Sequence, residues 1–329
     1  MKVCIYGAGA IGSLIAGRLA RVPDVEVSMI ARGVSLAAIR ERGVRVVDDE
    51  GERPARVRAT DDTGSLGAQD YVFIALKQHQ LGQVTESIQP LVGESTSVIP
   101  PTTGIPYWYF YRQPGLHENR HIERLDPGGS LWRAIPPERV LGCVFRVAAQ
   151  LVAPGVVRQD GSYAKLPLGE PDGSVSPRVR RLSEAMCAAG FESPVVDNVR
   201  GWLWLKMISS LCWNPVAALT LATWGELVDS PGVVDLVRTM MKEADAVAAA
   251  LGGAPPISVE ERLAAPRSAP HHKMSMLQDL ERGRPLEYQA ITDSIEAMRA
   301  IAGLETPMID YVLALLRLRA QKRGGVEHA

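Results

Sequence analysis

A short apolar strand that runs into a glycine-rich turn and then a helix most restricts how this chain folds. Lys2–Tyr6 is an apolar run typical of a parallel strand covered on both faces. The sequence GAGAIG at 7–12 follows, and a helical pattern of apolar residues comes after it. This order predicts a Rossmann-type unit that binds a dinucleotide. A purely structural glycine turn is the alternative.

The three glycines of the turn have separate expected roles. Gly7 permits the tight turn, Gly9 lets the backbone approach a pyrophosphate, and Gly12 lets the helix pack on the strand. The pyrophosphate would lie at the helix N-terminus, where backbone N–H groups point outward. We therefore expect the cofactor to be bound by the residues of this turn: Gly7, Gly9, Ala10, Ile11 and Gly12.

The end of the second predicted strand, Val25–Ile30, indicates which dinucleotide is bound. An NAD site usually carries an acidic residue here, which holds the ribose 2′-hydroxyl. This chain has Arg32 instead, and a guanidinium matches a 2′-phosphate in charge and geometry. NADPH is therefore the expected cofactor. The alternative is a surface arginine that contacts only solvent.

The composition argues against several classes of protein. The chain has 36 Lys and Arg against 37 Asp and Glu, so its net charge of −1 creates no general attraction for nucleic acid or anionic membranes. Its 4 cysteines lack CxxC spacing, which argues against a disulfide framework or a metal site. The N-terminus has no signal-peptide layout. We expect a cytoplasmic protein with no nucleic acid, membrane or metal partner.

The 329 residues suggest two domains at about 150 residues each. Further strands are predicted at 44–47, 55–59, 70–76, 97–100, 139–151, 155–158, 163–168 and 192–196. Helices are predicted at 176–190, 231–252, 273–282, 286–303 and 306–321. From Asn198 onward the periodicity is helical to the end. The expected fold is α/β, with a Rossmann-type domain at 1–196 and an all-α domain at 197–329.

Two features of the first half have more than one interpretation. Lys77 follows the strand at 70–76, at the sheet edge that faces the ligand crevice, so it would meet cofactor or substrate. A lysine that merely starts a helix is the alternative. Five aromatic residues at 107–111 begin a long Pro- and Gly-rich loop, and loops of this length are usually functional. A substrate lid, a dimer contact and a satellite core cluster all fit this segment.

One helix of the second half carries a polar stripe. Lys206 is the one charged residue from Trp202 to Trp224, and Lys206, Ser210 and Asn214 are spaced four residues apart. Such a stripe suits a helix that is buried in protein and faces a polar cleft, rather than a membrane span. Burial would lower the lysine pKa toward the range useful for proton donation. A lysine that reaches the surface along its apolar stem is the alternative.

Together these motifs resemble the ketopantoate reductase (2-dehydropantoate 2-reductase) family over essentially the whole chain. The resemblance implies a Rossmann domain joined to a helical domain, with the active site in the cleft between them. It also implies hydride transfer from NADPH to the 2-oxo carbon of ketopantoate, a step of pantothenate biosynthesis. It is carried by GAGAIG at 7–12, Arg32, Lys77-x-x-Gln80, Trp204-x-Lys206, Asn214-Pro215, Ser275-Met-Leu-Gln-Asp279 and Glu287.

The resemblance assigns roles to individual residues. Lys206 would be the general acid that protonates the developing alkoxide, and Glu287 would accept a hydrogen bond from the substrate hydroxyl. An acid that only favours the dipole of its helix is the other interpretation of Glu287. The remaining implied contacts are Asn214, Ser210 and Ser275 with the substrate, Lys77 with both substrate and nicotinamide, and Thr103 with the nicotinamide.

The chain departs from the family pattern in its pocket. Thr103-Gly104 replaces the usual Asn-Gly, Ser210 replaces a second Asn, and Tyr288-Gln289 follow the glutamate. The aromatic insertion resembles a longer subgroup. Three functions follow: reduction of ketopantoate, NADPH-dependent reduction of a bulkier 2-oxo acid, ketone or imine, or NADP(H) binding without redox turnover. The helical domain would also carry the interface of a homodimer.

Overall fold

The computed structural model describes residues 1–324, and the chain divides into two compact units. The first unit contains residues 1–102 and 106–199, and the second contains 103–105 and the residues from Arg200 onward. The sequence predicts a single junction at 196/197. The structure has its main junction three residues later, and it also assigns Thr103–Ile105 to the second unit.

The first unit contains two main sheets and four helices. Its strands are β1 (Lys2–Tyr6), β2 (Glu26–Ile30), β3 (Val44–Asp48), β4 (Gly51–Ala55), β5 (Arg58–Thr60), β6 (Gln69–Ile74), β7 (Val92–Ile99), β8 (Gly142–Cys143), β9 (Arg146–Ala153), β10 (Val156–Lys165) and β11 (Leu168–Gly169). Its helices are α1 (Ala10–Leu19), α2 (Gly33–Arg42), α3 (Ser130–Ala134) and α4 (Pro177–Ala188).

A five-stranded parallel sheet in the order β5-β2-β1-β6-β7 forms the centre of the first unit. The neighbours of β1 are β2 on one side and β6 on the other, and all three strands run in the same direction. In a sheet of this order the chain reverses its direction of growth between β1 and β6. Open α/β sheets bind ligands at that point, outside the carboxyl ends of the strands. The Rossmann-type fold predicted from the sequence is confirmed.

Helix α1 packs between this sheet and a second, four-stranded sheet. The second sheet has the order β4-β3-β10-β9, and α1 contacts β3, β9 and β10 as well as β1. A Cβ added at Gly17 would lie 2.5 Å from Val46 Cγ2, so the helix approaches β3 closely. Leu14 and Ile15 on α1 are buried in the core of the unit. The helix that begins at the glycine turn is therefore held on both sides.

The strands predicted at 55–59 and 192–196 are wrong. The segment 55–59 is not one strand, because β4 ends at Ala55 and pairs with β3, whereas β5 begins at Arg58 and pairs with β2 in the other sheet. The segment 192–196 makes only isolated bridges, from Lys165 to Glu192 and from Leu168 to Val195. It contains Pro194, which has no N–H to donate to a ladder.

The aromatic run at 107–111 forms a satellite core cluster. Its first four residues each expose 2% or less of their surface. The Tyr107 hydroxyl donates a hydrogen bond to the Ile135 carbonyl at 2.6 Å, and Tyr111 makes an edge-on contact with Trp132 at a centroid distance of 6.0 Å. The chain beyond the run also forms α3, so the loop is shorter than predicted. This packing is that of a core cluster, not of an exposed lid.

The second unit is helical, and residues 200–324 contain no strand. Trp204 and Trp213 of its long first helix are fully buried, and Pro215 lies inside that helix without ending it. None of the helices within residues 1–324 combines the length and apolarity that a membrane crossing requires. The helices are α5 (Val199–Thr220), α6 (Trp224–Val228), α7 (Pro231–Ala250), α8 (Val259–Ala264), α9 (Ser275–Glu281), α10 (Gln289–Ala302) and α11 (Pro307–Gly324).

Candidate functional site

Gly7 and Gly12 are required by close contacts in the turn between β1 and α1. Gly7 has φ +118°, and a Cβ added to it would lie 2.8 Å from the carbonyl oxygen of Ala75 at the end of β6. A Cβ at Gly12 would lie 2.1 Å from the Gly7 carbonyl oxygen. Because no side chain fits at either position, these two glycines set how closely α1 approaches the ends of β1 and β6.

Gly9 differs from the other two glycines, because the space beside it is open. The nearest atom to an added Cβ would be the Ala75 oxygen at 4.0 Å, and the residue is exposed with φ −76°. Gly9 is also the N-cap of α1, where no side chain accepts a hydrogen bond, and the first turn carries no acidic residue. The backbone N–H groups of this first turn, from Ala10 and Ile11, have no partner within the helix. An anionic group could approach them closely.

Arg32 occupies the corresponding position after β2. It is the N-cap of α2, its side chain makes no capping hydrogen bond, and the first turn of α2 has no acidic residue. Arg32 is exposed, and Gly33 after it has φ +54° with no atom within 4 Å of an added Cβ. The structure therefore places an exposed guanidinium and a second uncapped helix N-terminus beside each other.

Lys77 follows β6, and its motif with Gln80 has a local structural explanation. Lys77 is the N-cap of the 3-10 helix at Gln78–Val84, and its backbone N–H donates to Gln80 Oε1 at 3.1 Å. Gln80 therefore stabilises the turn, and the Lys77 side chain is exposed. Lys77 does start a helix, which is the alternative to a ligand contact, and it also lies at the carboxyl end of the sheet.

The polar stripe of α5 is present in the second unit. Lys206 and Ser210 are half-buried, and Asn214 is 6% exposed. Elsewhere on this helix the surroundings are apolar: burial raises the pKa of the Cys212 thiol well above its usual range. The stripe thus lies on a helix whose remaining faces are largely removed from water.

Asn214 joins α5 to the start of α9. Its Oδ1 accepts hydrogen bonds from Ser275 Oγ and from the backbone N–H of Met276, each at 3.2 Å. An N–H group can only donate, so the amide oxygen of Asn214 must face Met276, and this fixes the orientation of the amide. The amide nitrogen of Asn214 donates to no other residue within 1–324 in the structure, which leaves a donor at a fixed place in the stripe.

Ser275 and Glu287 lie at the starts of two further helices of the second unit. Ser275 is the first residue of α9 and is exposed. The helix predicted at 286–303 begins only at Gln289, with Tyr288 as its N-cap. Glu287 therefore lies before the helix and not, as the sequence predicted, in its first turn. The Glu287 side chain is exposed.

Thr103 and Gly104 belong to the second unit, where they lie against α10. The backbone N–H of Ile105 donates to Ser294 Oγ at 2.8 Å. No sequence pattern singles out Ser294, which is one buried serine on an amphipathic helix. Its partner lies 189 residues earlier in the chain, and only the three-dimensional structure shows that contact.

Comparison with known proteins gives the family. The model described as ketopantoate reductase PanE/ApbA matches residues 3–105, and the model of its C-terminal domain matches residues 198–320. A curated relative from Mesorhizobium japonicum, named 2-dehydropantoate 2-reductase, is 43% identical over 325 residues, which are 98% of this chain and 99% of the relative. The chain belongs to the ketopantoate reductase family. The family resemblance seen in the sequence is confirmed.

Two solved structures share the fold of this chain over 98% of its length. A protein of Ralstonia solanacearum, provisionally assigned as a ketopantoate reductase, is 36% identical with a TM-score of 0.88 and covers 98% of both chains. D-mandelate dehydrogenase in a ternary structure with NADH and anilino(oxo)acetate is 21% identical with a TM-score of 0.81, over 98% of this chain and 100% of the other. The second likeness shows the fold alone. Family membership makes the chain a pyridine-nucleotide-dependent oxidoreductase that acts on a carbonyl group.

Proposed function

We propose that this ketopantoate reductase family member reduces a 2-oxo acid with NADPH, and that ketopantoate is its substrate and pantoate its product. The observation that carries the proposal is the stripe of Lys206, Ser210 and Asn214 on α5, in which Met276 fixes the amide of Asn214. A proton donor and an oriented hydrogen-bond donor are the groups that carbonyl reduction requires. The 43% identical relative is named for the same reaction.

The two open helix N-termini fit a dinucleotide with a 2′-phosphate. The turn at Gly7, Gly9 and Gly12 would bind the pyrophosphate, because Gly9 leaves its outer side open and the N–H groups of α1 face it. The exposed guanidinium of Arg32 would pair with the 2′-phosphate. NADPH held by these residues would supply a hydride for the 2-oxo carbon.

The second unit would supply the groups that act on the substrate. Lys206 donates a proton from Nζ to the carbonyl oxygen as the hydride adds to the carbon, so the oxygen becomes a hydroxyl and never carries a full charge. Asn214 donates from Nδ2 to a substrate oxygen. Glu287 accepts a hydrogen bond from a substrate hydroxyl and holds the substrate in position. The remaining proposed contacts are Ser210 and Ser275 with the substrate, and Lys77 and Thr103 with the nicotinamide end.

Steady-state oxidation of NADPH with ketopantoate and with a series of bulkier 2-oxo acids tests this function. We expect kcat/KM for ketopantoate of about 10⁴ M⁻¹s⁻¹ or above, as for an enzyme on its own substrate. A bulkier 2-oxo acid that reacts faster would replace ketopantoate as the substrate. Tight binding of NADPH without turnover of any of them would favour a binding protein over a reductase. Since the aromatic run at 107–111 is packed in the core, we expect no preference for aromatic substrates.

A homodimer is the partner that we propose for the second unit. Tyr311, Leu315 and Leu318 form an exposed apolar stripe on α11, with side-chain exposures of 68%, 56% and 52%. The exposed residues Glu305 and Lys322 lie toward opposite ends of this stripe, so two antiparallel copies would match in charge. Light scattering of the wild type and of Leu315→Glu tests this: a dimer that the substitution dissociates supports it, and a monomeric wild type contradicts it. Cytoplasmic localisation stays a prediction.

A further inference from the structure

The segment Thr103–Ile105 has an unusual place in the chain. It belongs to the second unit, although Thr102 before it and Pro106 after it belong to the first. It follows β7, which is the edge strand on the β6 side of the parallel sheet. We call these three residues the strap.

The order of the sheet indicates which part of a dinucleotide lies at the carboxyl end of β7. The pyrophosphate turn follows β1, and Arg32 follows β2 on one side of it. If the adenosine half extends toward β2, the nicotinamide half must extend in the opposite direction, toward the carboxyl ends of β6 and β7. The carboxyl end of β7, which precedes the strap in the chain, is then the end of the sheet nearest to the reacting end of the cofactor.

A buried hydroxyl holds the strap. The Ile105 N–H donates to Ser294 Oγ at 2.8 Å, and the same hydroxyl donates to the carbonyl oxygen of Ala290 at 2.6 Å. Ser294 and Ile105 both have 0% of their surface exposed. The Ile105 N–H can only donate and the Ala290 carbonyl can only accept, so the serine hydroxyl accepts from one and donates to the other.

Gly104 brings the backbone of the strap into direct contact with the start of α10. A Cβ added at Gly104 would lie 2.4 Å from Ser294 Oγ and 2.6 Å from the Ala290 carbonyl oxygen. Ala290 is in the first turn of α10, and Glu287 lies just before that helix. The same contact therefore fixes Thr103 relative to the helix that Glu287 precedes.

We propose that Ser294 is a positioning residue of the reductase. Its hydroxyl fixes the strap on α10, so that Thr103 and Glu287 keep a constant separation while the hydride and the proton are transferred. This proposal rests on the proposed function, because it gives the strap a role only in a chain that reduces a substrate. Ser294 itself touches neither substrate nor cofactor.

The test is Ser294→Ala, with Thr292→Val as the matched control. Thr292 is buried on the same helix, and its hydroxyl donates a comparable bond to the Gln289 carbonyl of that helix rather than bonding the strap. We expect Ser294→Ala to lower kcat about tenfold, because one buried hydrogen bond that orients the reacting groups is lost. The Kd for NADPH should stay near the wild-type value, and Thr292→Val should keep the wild-type kcat.

A second variant separates positioning from general stability. Ser294→Thr keeps a hydroxyl that can bond the carbonyl four residues earlier, so it should recover most of the lost kcat. If Ser294→Ala and Thr292→Val lower the melting temperature equally and both keep the wild-type kcat, Ser294 has a structural role only and the proposal is wrong.

Amide hydrogen exchange of Ile105 tests the strap independently of turnover. In Ser294→Ala, exchange at Ile105 should be faster than in the wild type and in Thr292→Val, since its acceptor is gone. Unchanged exchange would overturn the proposal. If the wild type binds NADPH and reduces no 2-oxo acid, the proposed function fails and so does the catalytic part of this inference. Faster exchange would then still establish the attachment of the strap by Ser294.

Discussion

The helix N-termini of the two units differ in how their N–H groups are satisfied. In the first unit, α1 begins at Gly9 and α2 begins at Arg32, and neither residue provides a side-chain cap. In the second unit, α6 begins with a capping box in which the Thr223 N–H donates to Glu226 Oε2 at 2.8 Å, and α8 begins in the same way. Helices α6 and α8 satisfy these N–H groups with their own side chains, whereas the N-cap residues of α7 and α10 provide no side-chain cap. The contrast is therefore between α6 and α8 on one side and α1 and α2, which follow strands of the parallel sheet, on the other.

The open N-termini are not a property of the whole first unit. Helix α4 is capped by Ser176, whose Oγ accepts from the Val179 N–H, and α3 is capped by the buried carboxylate of Asp126. Only the two helices that follow β1 and β2 lack a cap among α1–α4. An uncapped helix start at the carboxyl end of a parallel strand therefore marks where a ligand is expected to supply the missing acceptor.

The largest effect should come from the glycine turn, where Gly12→Ala and Gly9→Ala separate folding from binding. A methyl at Gly12 would lie 2.1 Å from a backbone oxygen, so this variant should lose both stability and NADPH binding. A methyl at Gly9 has open space and ordinary φ, so this variant should fold normally and bind NADPH weakly. Thermal unfolding and NADPH titration measure both. Normal NADPH binding by Gly9→Ala would show that the cofactor does not approach this turn.

The next largest effect on cofactor binding should come from Arg32, at the uncapped N-terminus of α2. Arg32→Ala should weaken NADPH binding by about 10- to 100-fold, the range for loss of a hydrogen bond to a charged group, and should leave NADH binding unchanged. Arg21, an exposed arginine beyond the other end of α1, gives the matched control Arg21→Ala. Titrations with both dinucleotides measure the ratio. Equal losses for NADPH and NADH would refute the 2′-phosphate contact.

In the second unit, two substitutions of Asn214 separate its role as a hydrogen-bond acceptor for α9 from its proposed role as a donor to the substrate. Asn214→Asp keeps an acceptor for the Met276 N–H but removes the amide donor, so stability should be kept and KM should rise about tenfold. Asn214→Leu removes both and leaves a buried N–H unpaired, which should lower the free energy of unfolding by about 1–3 kcal/mol. Urea unfolding and steady-state kinetics distinguish them. An unchanged KM in Asn214→Asp would exclude a role for the amide donor.

The smallest effect concerns the capping boxes. Hydrogen bonds from Thr223 lower the pKa of Glu226, and hydrogen bonds from Ser258 lower the pKa of Glu261. Because the folded pKa lies below the unfolded one, the stabilisation is complete above about pH 4.3 and is lost as the pH falls through the folded pKa. The denaturant concentration at the midpoint of unfolding should therefore fall less steeply with decreasing pH in the double variant Glu226→Gln/Glu261→Gln than in the wild type. Identical slopes would contradict this.

The first unit was predictable because its signal is local. The strand, the three glycines and Arg32 follow one another in the sequence, and each has a steric or electrostatic reason that does not depend on distant residues. The same local reasoning failed at 55–59, where the chain leaves one sheet and enters another. Alternation of apolar residues shows that a strand forms but does not show which sheet it joins.

The second unit was only partly predictable because its candidate site is assembled from separate helices. The spacing of Lys206, Ser210 and Asn214 shows one face of α5. Asn214 caps α9 by accepting a hydrogen bond from Met276, which lies 62 residues later in the chain. Ser294 holds the strap by accepting a hydrogen bond from Ile105, which lies 189 residues earlier. The sequence does not decide the role of the aromatic run at 107–111 for a similar reason, since the residues that cover it are not its neighbours in sequence.

We propose that the first unit binds the cofactor through its backbone and that the second unit performs the proton chemistry through Lys206. Lys206→Ala tests it most directly when NADPH affinity and turnover of ketopantoate are measured on the same preparation. We expect an unchanged Kd for NADPH and a kcat lowered by a factor of about 10²–10⁴, the usual contribution of a positioned acid. A wild-type kcat, or a loss of turnover that merely follows a loss of NADPH binding, would contradict it.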